Sequence, residues 1–515
     1  MGGFVRSGER VSDIAVLSEH AARAGSGFAS LGIGPGDVVA IYLRNDFAFF
    51  EASVAAGLVG AYSTPVNWHN SADEAAYIFE NSGAKAIVIH ADLYHPIASA
   101  LPAGVPVFVV ETPPEIIAAY RLPADALRLP AGVPLWSEWL AKFPPKEKGP
   151  DEPPGTMIYT SGTTGHPKGV RRARPNGEQA LAWQKLVGGV MGFDPKFGNP
   201  VDMVTVITGP MYHSAPNAYG LFAFRVGANA ILQPRFDPEE LLAMIDKYKV
   251  THLHMVPTMF VRLLKLPDEV KKKYDLSSLR FVVHAAAPCP VHVKQAMIEW
   301  WGPVIFEYYG GTETGAVVFC DSKEWLAHPG TVGKAVDGAE VRVLGENGEE
   351  LAKGATGEIV CRTFTIPDFT YHRDEEKRQR AEKAGLISLG DMGYLDDDGF
   401  LYLCDRAKDM IISGGVNIYP AEIEAELHKM PGVGDCAVFG IPDEEFGEQV
   451  CAIVQRLPGA DITESAVRSF LREKIAGYKV PKHVEFRTDL PREDSGKIFK
   501  RKLREPFWEA AGRRI

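Results

Sequence analysis

The chain has 515 residues, of which 46% are hydrophobic and 23% charged, a composition typical of a globular protein with about three or four domain-sized units. Its formal net charge of −11 gives no electrostatic support for a nucleic-acid partner. The six cysteines are scattered without C-x-x-C spacing, which disfavours a zinc site and a disulfide framework and favours reduced, mostly buried thiols.

The segment from Met1 to Arg6 lacks the apolar core of a signal peptide. The longest apolar-rich stretch, residues 49–62, contains Glu51 and is too short to span a bilayer. We therefore expect a cytoplasmic protein with no transmembrane segment. Peripheral contact with a membrane stays open for a greasy substrate, and a homodimer also stays open.

Strand-like apolar runs alternate with helical patterns in the first part of the chain. Strands are predicted at 38–43, 86–89, 105–110, 201–207, 251–256, 279–283 and 304–308, and helices at 47–59, 237–249 and 290–301. Asp237, Pro238 and Glu240 supply a cap, a first residue and an acidic third residue for the second of these helices. Such alternation predicts an α/β fold of mostly parallel sheets covered by helices.

The sequence texture changes after Gly330. Short strands flank the pairs Asn347-Gly348 and Asp398-Gly399, which are hairpin signals and predict a small antiparallel β unit. Helices at 420–430 and 463–475 and strands at 433–439 and 450–455 predict an α+β tail, and residues 144–154 predict a loop. We expect a large N-terminal domain, residues 1–407, and a small C-terminal domain, residues 408–515.

The most informative segment follows Met157-Ile158-Tyr159 and reads Thr160-Ser161-Gly162-Thr163-Thr164-Gly165, then His166-Pro167-Lys168-Gly169-Val170. Glycines let a backbone approach a ligand, hydroxyls donate hydrogen bonds and Lys168 adds a positive charge, a combination that suits a polyphosphate. It is not the common P-loop, because Pro167 falls where that motif needs its second glycine. A flexible surface loop is the alternative, and the apolar residues before it and the Pro-Lys-Gly after it count against this.

Further polar and glycine-rich segments follow predicted strands or lie near the end of the chain. They are Pro210-Met211-Tyr212-His213, His284-Ala285-Ala286-Ala287-Pro288, Glu307-Tyr308-Tyr309-Gly310-Gly311-Thr312-Glu313, Leu389-Gly390-Asp391, Asp405-Arg406-Ala407-Lys408, Ser413-Gly414-Gly415 and Pro491-Arg492-Glu493-Asp494-Ser495-Gly496-Lys497. Taken singly, most would be read as a core histidine, a turn or a solvated charge cluster. Open α/β sheets, however, bind ligands beyond the carboxyl ends of their strands, where residues 307–313 fall.

In this order, the segments resemble the motifs of the adenylate-forming superfamily, which includes acyl-CoA synthetases, adenylation domains and firefly-type luciferases. The resemblance covers nearly the whole chain and extends to Lys497. His284 and Ala285 depart from it, since the family usually has serine and glycine there.

The resemblance implies an adenylation (AMP-binding) N-terminal domain that binds ATP and Mg²⁺, and a mobile C-terminal lid domain. The nucleotide-binding residues would be Thr160, Ser161, Gly162, Thr163, Thr164, Gly165 and Lys168 at the phosphates, Ala286 and Tyr309 at the adenine, Thr312 at the α-phosphate, Asp391 at the ribose, and Arg406 at the ribose or the phosphates. Glu307 and Tyr308, from the same segment as Tyr309, would also bind the nucleotide. Glu313 and Thr160 would hold the metal. The catalytic residues would be Lys497, Glu313 and His213.

The resemblance also implies CoA as the acceptor and two half-reactions. A carboxylate first attacks the α-phosphorus of ATP to give acyl-AMP and pyrophosphate. The C-terminal domain then turns about the hinge Lys408 and removes Lys497, and Gly414 and Gly415 line a tunnel for CoA, whose thiolate releases AMP. The acyl pocket would include Trp183, Tyr212, His213, His284 and Ala285.

Two alternatives stay open. One is an acyl-AMP ligase or luciferase-like enzyme with a second step that does not use CoA. The other is a non-catalytic nucleotide-binding protein, which the presence of Lys497 and Glu313 disfavours. Because residues 285–287 are small and no charged residue evidently awaits a second carboxylate or an amine, we expect a bulky apolar monocarboxylic acid: fatty, arylalkanoic or alicyclic.

Overall fold

The computed structural model describes residues 2–160, 167–406, 409–413, 416–443, 446–492 and 498–510, with residues 405 and 406 described in their backbone only. The strands are β1 Phe4–Ser7, β2 Arg10–Asp13, β3 Val38–Tyr42, β4 Tyr62–Pro65, β5 Ala84–His90, β6 Val107–Val110, β7 Ile158–Thr160, β8 Lys168–Arg172, β9 Val204–Ile207, β10 Asn229–Leu232, β11 His252–Met255, β12 Phe281–His284, β13 Ile305–Gly311, β14 Gly315–Cys320, β15 Thr331–Ala335, β16 Ala339–Leu344, β17 Gly357–Thr363, β18 Phe369–Tyr371, β19 Glu382–Lys383, β20 Leu386–Leu395, β21 Leu401–Arg406, β22 Ile411–Ser413, β23 Val416–Ile418, β24 Val433–Asp443, β25 Gly447–Arg456 and β26 His483–Arg487.

The α-helices alternate with these strands, as expected for an α/β protein. They are α1 Ile14–Ser30, α2 Phe47–Leu58, α3 Ala72–Ser82, α4 Ala91–Tyr94, α5 Pro114–Tyr120, α6 Trp136–Leu140, α7 Gly177–Val190, α8 Ser214–Val226, α9 Pro238–Tyr248, α10 Pro257–Leu264, α11 Asp268–Lys271, α12 Val291–Trp301, α13 Ser322–Ala327, α14 Glu375–Ala381, α15 Pro420–Leu427, α16 Glu464–Arg472 and α17 Lys500–Ala510. Of these helices, none combines the length and the apolar character needed to cross a bilayer.

The largest sheet has the strand order β16-β17-β20-β21-β15-β14-β13-β12-β11-β9-β10-β1-β2, with β19 beside β20. Its centre, from β13 through β12, β11, β9 and β10 to β1, is parallel. The strands from β14 to β16 pair antiparallel. The predicted antiparallel unit is therefore present, but it extends the edge of the parallel sheet instead of forming a sheet of its own.

Three smaller sheets complete the fold. The strands β4, β3, β5 and β6 pair in parallel, and β18, β8 and β7 pair antiparallel. The strands β22 to β26 form a separate sheet with its own apolar core, which includes Ile423, Val438 and Leu471. Lys265, just after α10, donates a hydrogen bond to the Gly434 carbonyl of that unit. The boundary proposed between residues 407 and 408 stays a prediction, since both lie outside the described residues.

Local signals in the sequence predict several element ends well. The Asp237 side chain caps α9 by accepting a hydrogen bond from the Glu240 N–H, and the helix ends at Lys249, whose φ is 51°. The Asp398-Gly399 pair lies in the turn between β20 and β21. The strand predicted at 201–207 begins only at Val204, because Pro200–Asp202 form a 3-10 turn capped by the Asn199 side chain.

A buried ion pair supports the middle of the large sheet from behind. The Lys294 ammonium of α12 lies 2.5 Å from a carboxylate oxygen of Glu307 on β13, and both side chains are almost fully buried. His284 of β12 lies 3.5 Å from the same oxygen, and burial and the Lys294 charge hold the pKa of His284 well below its ordinary value. The imidazole is therefore neutral at neutral pH, whereas burial raises the pKa of Glu307 against the opposing effect of the adjacent Lys294 ammonium.

Removing one member of this pair should be costly. We expect Glu307→Ala to lower the free energy of unfolding by about 3–5 kcal/mol, because it leaves the Lys294 charge buried without its partner. The double variant Lys294→Met with Glu307→Leu should lose less, since it removes both charges and keeps the volume. Urea titration gives the comparison, with the exposed Glu299→Ala on α12 as the control. A loss for Glu307→Ala no larger than for Glu299→Ala would contradict the buried pair.

Candidate active site

The residues on either side of the glycine- and hydroxyl-rich segment 161–165 pair as an antiparallel hairpin. Thr160 ends β7, Lys168 begins β8, and the two residues face each other in register. Ser161, Gly162, Thr163, Thr164 and Gly165 lie between them in sequence and outside the described residues. The hairpin continues into β18 through the pairing of Val170 with Tyr371.

The hairpin meets the loop that follows β13. The Tyr371 hydroxyl donates a hydrogen bond of 2.9 Å to a carboxylate oxygen of Glu313, and the Lys168 ammonium lies 4.6 Å from the centre of the Tyr371 ring. Arg172, at the far end of β8, donates to the carbonyl oxygens of Thr312 and Glu313 at 3.0 and 2.6 Å. Positively charged groups that can donate to phosphates therefore lie next to a carboxylate.

The same loop reaches the start of α8. The Thr312 hydroxyl donates to the Ser214 hydroxyl at 3.1 Å, and Ser214 is the first residue of this thirteen-residue helix. His213 occupies the capping position before it, with its ring 4.4 Å from that of Tyr212. The positive end of a helix dipole is therefore directed at the place where the resemblance puts the α-phosphate and the attacking carboxylate.

A second contact joins the predicted adenine and ribose residues. The Tyr309 hydroxyl donates a hydrogen bond of 2.8 Å to a carboxylate oxygen of Asp391 on β20. Arg406 lies opposite Asp391 in the register of β20 and β21, with its side chain outside the described part of the structure. A flat ring and a carboxylate held side by side suit a nucleoside.

The candidate acyl pocket lies on one face of β12 and β13. Ala285 and Tyr308 are buried there, and the Tyr308 hydroxyl lies 3.2 Å from His254 on β11. Trp183 of α7 closes over Gly315, where a Cβ atom would lie 3.5 Å from the indole. Tyr212 is also buried, packed edge-on against Trp68 at 4.5 Å.

Two predicted site residues do not join these groups through their side chains. His284 and Glu307 point to the opposite face of the sheet, where they meet Lys294 beneath α12. Ala286 follows β12 and is exposed. Its φ of 71° lies in the left-handed region, which favours glycine, so the chain turns at this residue.

The remaining predicted residues lie outside the described residues: Lys408, Gly414, Gly415 and Lys497. Their flanks are described. Ser413 pairs with Val416 on either side of Gly414 and Gly415, and Arg492 pairs with Ile498 on either side of the segment that contains Lys497. Arg492 also binds Asp435 at 2.6 Å, which joins Arg492 to the C-terminal sheet.

Sequence inspection missed several residues that hold the site. Tyr371, Ser214 and Arg172 contact the loop after β13, as described above. The buried Asn45, which follows β3, donates to the Gly209 carbonyl at 2.9 Å and accepts from the Met211 N–H at 2.8 Å, so it braces the turn that leads to His213. The sequence shows only an asparagine shortly after a predicted strand, because the residues that it contacts are more than 160 positions away.

One trio of potential metal ligands lies away from this site. The ligand atoms of His428, Asp435 and Cys436 fall within 4.8 Å of one another in the C-terminal unit. Asp435 is already paired with Arg492, and burial raises the pKa of the Cys436 thiol well above its ordinary value. Both features disfavour a cation there. No disulfide joins any of the six cysteines, all of which lie in the described residues.

The electrostatic state of Lys168 reflects its surroundings. Burial, assisted by the nearby Lys377 ammonium, lowers the pKa of Lys168 to about 8, although the Glu313 carboxylate opposes the shift. A cation held at such a low pKa is short of negative charge around it. An anionic ligand would supply that charge and raise the pKa again.

The fold and this arrangement define a nucleotide-binding α/β enzyme with a separate C-terminal unit. The AMP-binding enzyme family matches residues 13–366, and the AMP-binding enzyme C-terminal domain matches residues 422–497. The chain belongs to this family of adenylate-forming enzymes and, within it, to the AMP-forming acyl-CoA synthetases.

Known relatives extend over almost the whole chain. A feruloyl-CoA synthase of an Amycolatopsis species is 33% identical over 98% of this chain and 95% of its own length. A methyl-dioxo-octahydroindenyl-propanoyl:CoA ligase of Rhodococcus jostii is 32% identical over 98% of this chain and 93% of its own. ATP-bound MatB from Rhodopseudomonas palustris is 27% identical, covers 98% of this chain and 96% of its own, and superposes with a TM-score of 0.81.

The low pKa of Lys168 predicts a pH-dependent affinity for ATP. Below pH 8 the lysine is charged before the nucleotide arrives; above it, binding must take up a proton, so affinity should fall by up to tenfold per pH unit. Calorimetry with magnesium and the unreactive analogue α,β-methylene-ATP between about pH 7.5 and 9.5 measures this. Lys168→Arg keeps its charge throughout and should flatten the profile. Equal slopes in both proteins would rule out Lys168 as the titrating group.

Proposed function

We propose that this protein is an ATP-dependent acid–CoA ligase for a bulky apolar monocarboxylic acid: fatty, arylalkanoic or alicyclic. It forms acyl-AMP and then acyl-CoA, releasing pyrophosphate and AMP. The observation that carries the proposal is the chain of contacts from Lys168 through Tyr371 to Glu313 and from Thr312 to Ser214, with Tyr309 and Asp391 beside it. Together they provide donors for phosphates, a carboxylate for a metal ion and a surface for a nucleoside.

In the first half-reaction a carboxylate oxygen of the acid attacks the α-phosphorus, and the bond from that phosphorus to the bridging oxygen of pyrophosphate breaks. Lys168 and the hairpin hold the departing phosphates, and Lys497 bridges the carboxylate and the α-phosphate. Positive groups fixed in advance where negative charge gathers are a large catalytic contribution. Thr312 and the start of α8 position the α-phosphate next to His213.

Glu313 and Thr160 are the residues that would hold Mg²⁺. Both offer hard oxygen donors, which suit this ion, and the Glu313 carboxylate is oriented by Tyr371 through one of its two oxygens. When bound, the ion neutralises part of the phosphate charge and aligns the triphosphate.

In the second half-reaction the CoA thiolate attacks the acyl carbon and the carbon–oxygen bond to AMP breaks. The C-terminal unit turns about Lys408, withdraws Lys497 and brings Gly414 and Gly415 to the CoA arm. Such a rotation lets one cleft serve two transition states in turn.

The proposed class of acid follows from the pocket walls. Ala285, Tyr308 and Trp183 offer a small residue and broad aromatic surfaces, which suit a ring or a chain. Arg172 lies over the Trp183 ring at 6.0 Å, but its guanidinium donates to the Thr312 and Glu313 carbonyls, so it is engaged by the backbone and not aimed at a second carboxylate of the substrate. Two of the relatives are named as a feruloyl-CoA synthase and a methyl-dioxo-octahydroindenyl-propanoyl:CoA ligase, and both names denote ring-bearing acyl groups, which supports the bulky class.

A panel of acids tests the proposal. Purified protein with ATP, magnesium and one acid at a time is assayed for pyrophosphate release, and again with CoA for thioester and AMP. We expect turnover with ring-bearing or medium-to-long-chain acids. Selective use of acetate or an amino acid would overturn the proposed acid class, and adenylation without CoA-dependent AMP release would instead favour a ligase with another acceptor.

Lys497→Ala separates the two half-reactions. Acyl-AMP formation, followed as ATP–pyrophosphate exchange, should fall by at least about a hundredfold, because preorganised charge at the reacting centre is lost. Thioester formation from supplied acyl-AMP and CoA should stay within a few-fold of the parent protein. The exposed Lys502→Ala on α17 is the matched control and should change neither. Equal losses in both half-reactions would contradict the assigned role of Lys497.

A further inference from the structure

The strand β8 presents two cations to the loop after β13. Side chains alternate along a strand, so Lys168, Val170 and Arg172 share one face, whereas Arg171 points to the other. The Glu313 carboxylate raises the pKa of Lys168 against the larger opposing effect of burial. Arg172 donates hydrogen bonds to the Thr312 and Glu313 carbonyls. The buried Val170 separates the two and packs against Phe369 and Tyr371.

The Arg172 guanidinium donates its hydrogen bonds to backbone carbonyl oxygens. It donates to the carbonyls of Pro367 at 2.8 Å, Thr312 at 3.0 Å and Glu313 at 2.6 Å. A guanidinium suits this because its planar fork can reach several acceptors at once. Burial lowers the pKa of Arg172 to about 10, against the attraction of Glu313 and Asp368, so the group is still charged at neutral pH.

The consequence concerns the direction in which the two loop side chains point. Two adjacent carbonyls held by one guanidinium fix the peptide planes of Thr312 and Glu313. With its backbone fixed and one carboxylate oxygen bound by Tyr371, Glu313 has little freedom left.

We infer that Arg172 is a positioning residue that sets Glu313 for the metal–nucleotide complex. The inference rests on the proposed function, because it assigns Glu313 to the metal ion of bound ATP. It predicts that losing Arg172 weakens the cooperation between metal and nucleotide more than it weakens binding of the nucleotide alone. Support between distant segments at a site is what preorganisation requires.

The test compares two arginines of one strand. Arg172→Met removes the three hydrogen bonds and the charge. Arg171→Met removes the same charge one residue away on the opposite face, where Arg171 stacks over the Tyr62 ring at 4.4 Å. Arg172→Lys keeps the charge but, as a single ammonium, cannot hold the same set of carbonyls in one plane.

The readout is the affinity for α,β-methylene-ATP with magnesium and with EDTA, measured by calorimetry, so no turnover is needed. We expect the ratio of the two affinities to fall about tenfold in Arg172→Met and by an intermediate amount in Arg172→Lys, and to stay within about twofold of the parent protein in Arg171→Met. A purely structural role of Arg172 would weaken both affinities and leave the ratio unchanged.

The outcomes can be told apart. An unchanged ratio in Arg172→Met, or an equal change in Arg171→Met, overturns the inference while the proposed function stands. A parent protein that binds the analogue without any help from magnesium overturns the inference together with the metal assignment. If Arg172→Met fails to fold, as judged by its melting curve, Arg172→Lys supplies the decision by the same ratio.

Discussion

The candidate site depends on one contact, the meeting of the β7–β8 hairpin with the loop that follows β13. The hairpin belongs to a three-stranded sheet and the loop to the large one, so no ladder of strand pairing connects them. Tyr371 and Arg172 make the connection, through the Glu313 carboxylate and the carbonyls beside it. If this contact were lost, each sheet could keep its internal pairing while the residues proposed to bind phosphates and those proposed to bind the metal ion moved apart.

The charges around Lys168 are arranged to favour an anionic ligand before it binds. Burial and a second ammonium, Lys377, lower the pKa of Lys168, and the Glu313 and Asp374 carboxylates oppose this shift. The local excess of positive charge is a cost in the free protein and a gain once phosphates enter, because opposite charges attract strongly where water is partly excluded. A site arranged in this way needs little reorganisation during the reaction.

The two faces of β12 and β13 contact different parts of the protein. Ala285 and Tyr308 lie on the face that packs against α7, on the side of the proposed acyl pocket. His284 and Glu307 look toward α12, where Lys294 neutralises the carboxylate and the imidazole stays uncharged. One strand pair thus carries the proposed substrate wall on one side and a buried polar cluster on the other, so substitutions on the two faces would affect the proposed site in different ways.

The sequence by itself determined the local features: the alternation that gives parallel sheets, the Asp237 cap, the Asp398-Gly399 turn and the run of glycines and hydroxyls after Thr160. These depend on neighbours along the chain, whose spacing and chemistry are visible in one segment. The tertiary structure decided that the late antiparallel strands extend the large sheet, that Glu307 faces Lys294, and that Arg172, Tyr371 and Asn45 hold the site. Such contacts join residues that are far apart in sequence, and their energy depends on burial and direction, which exist only once the chain has folded.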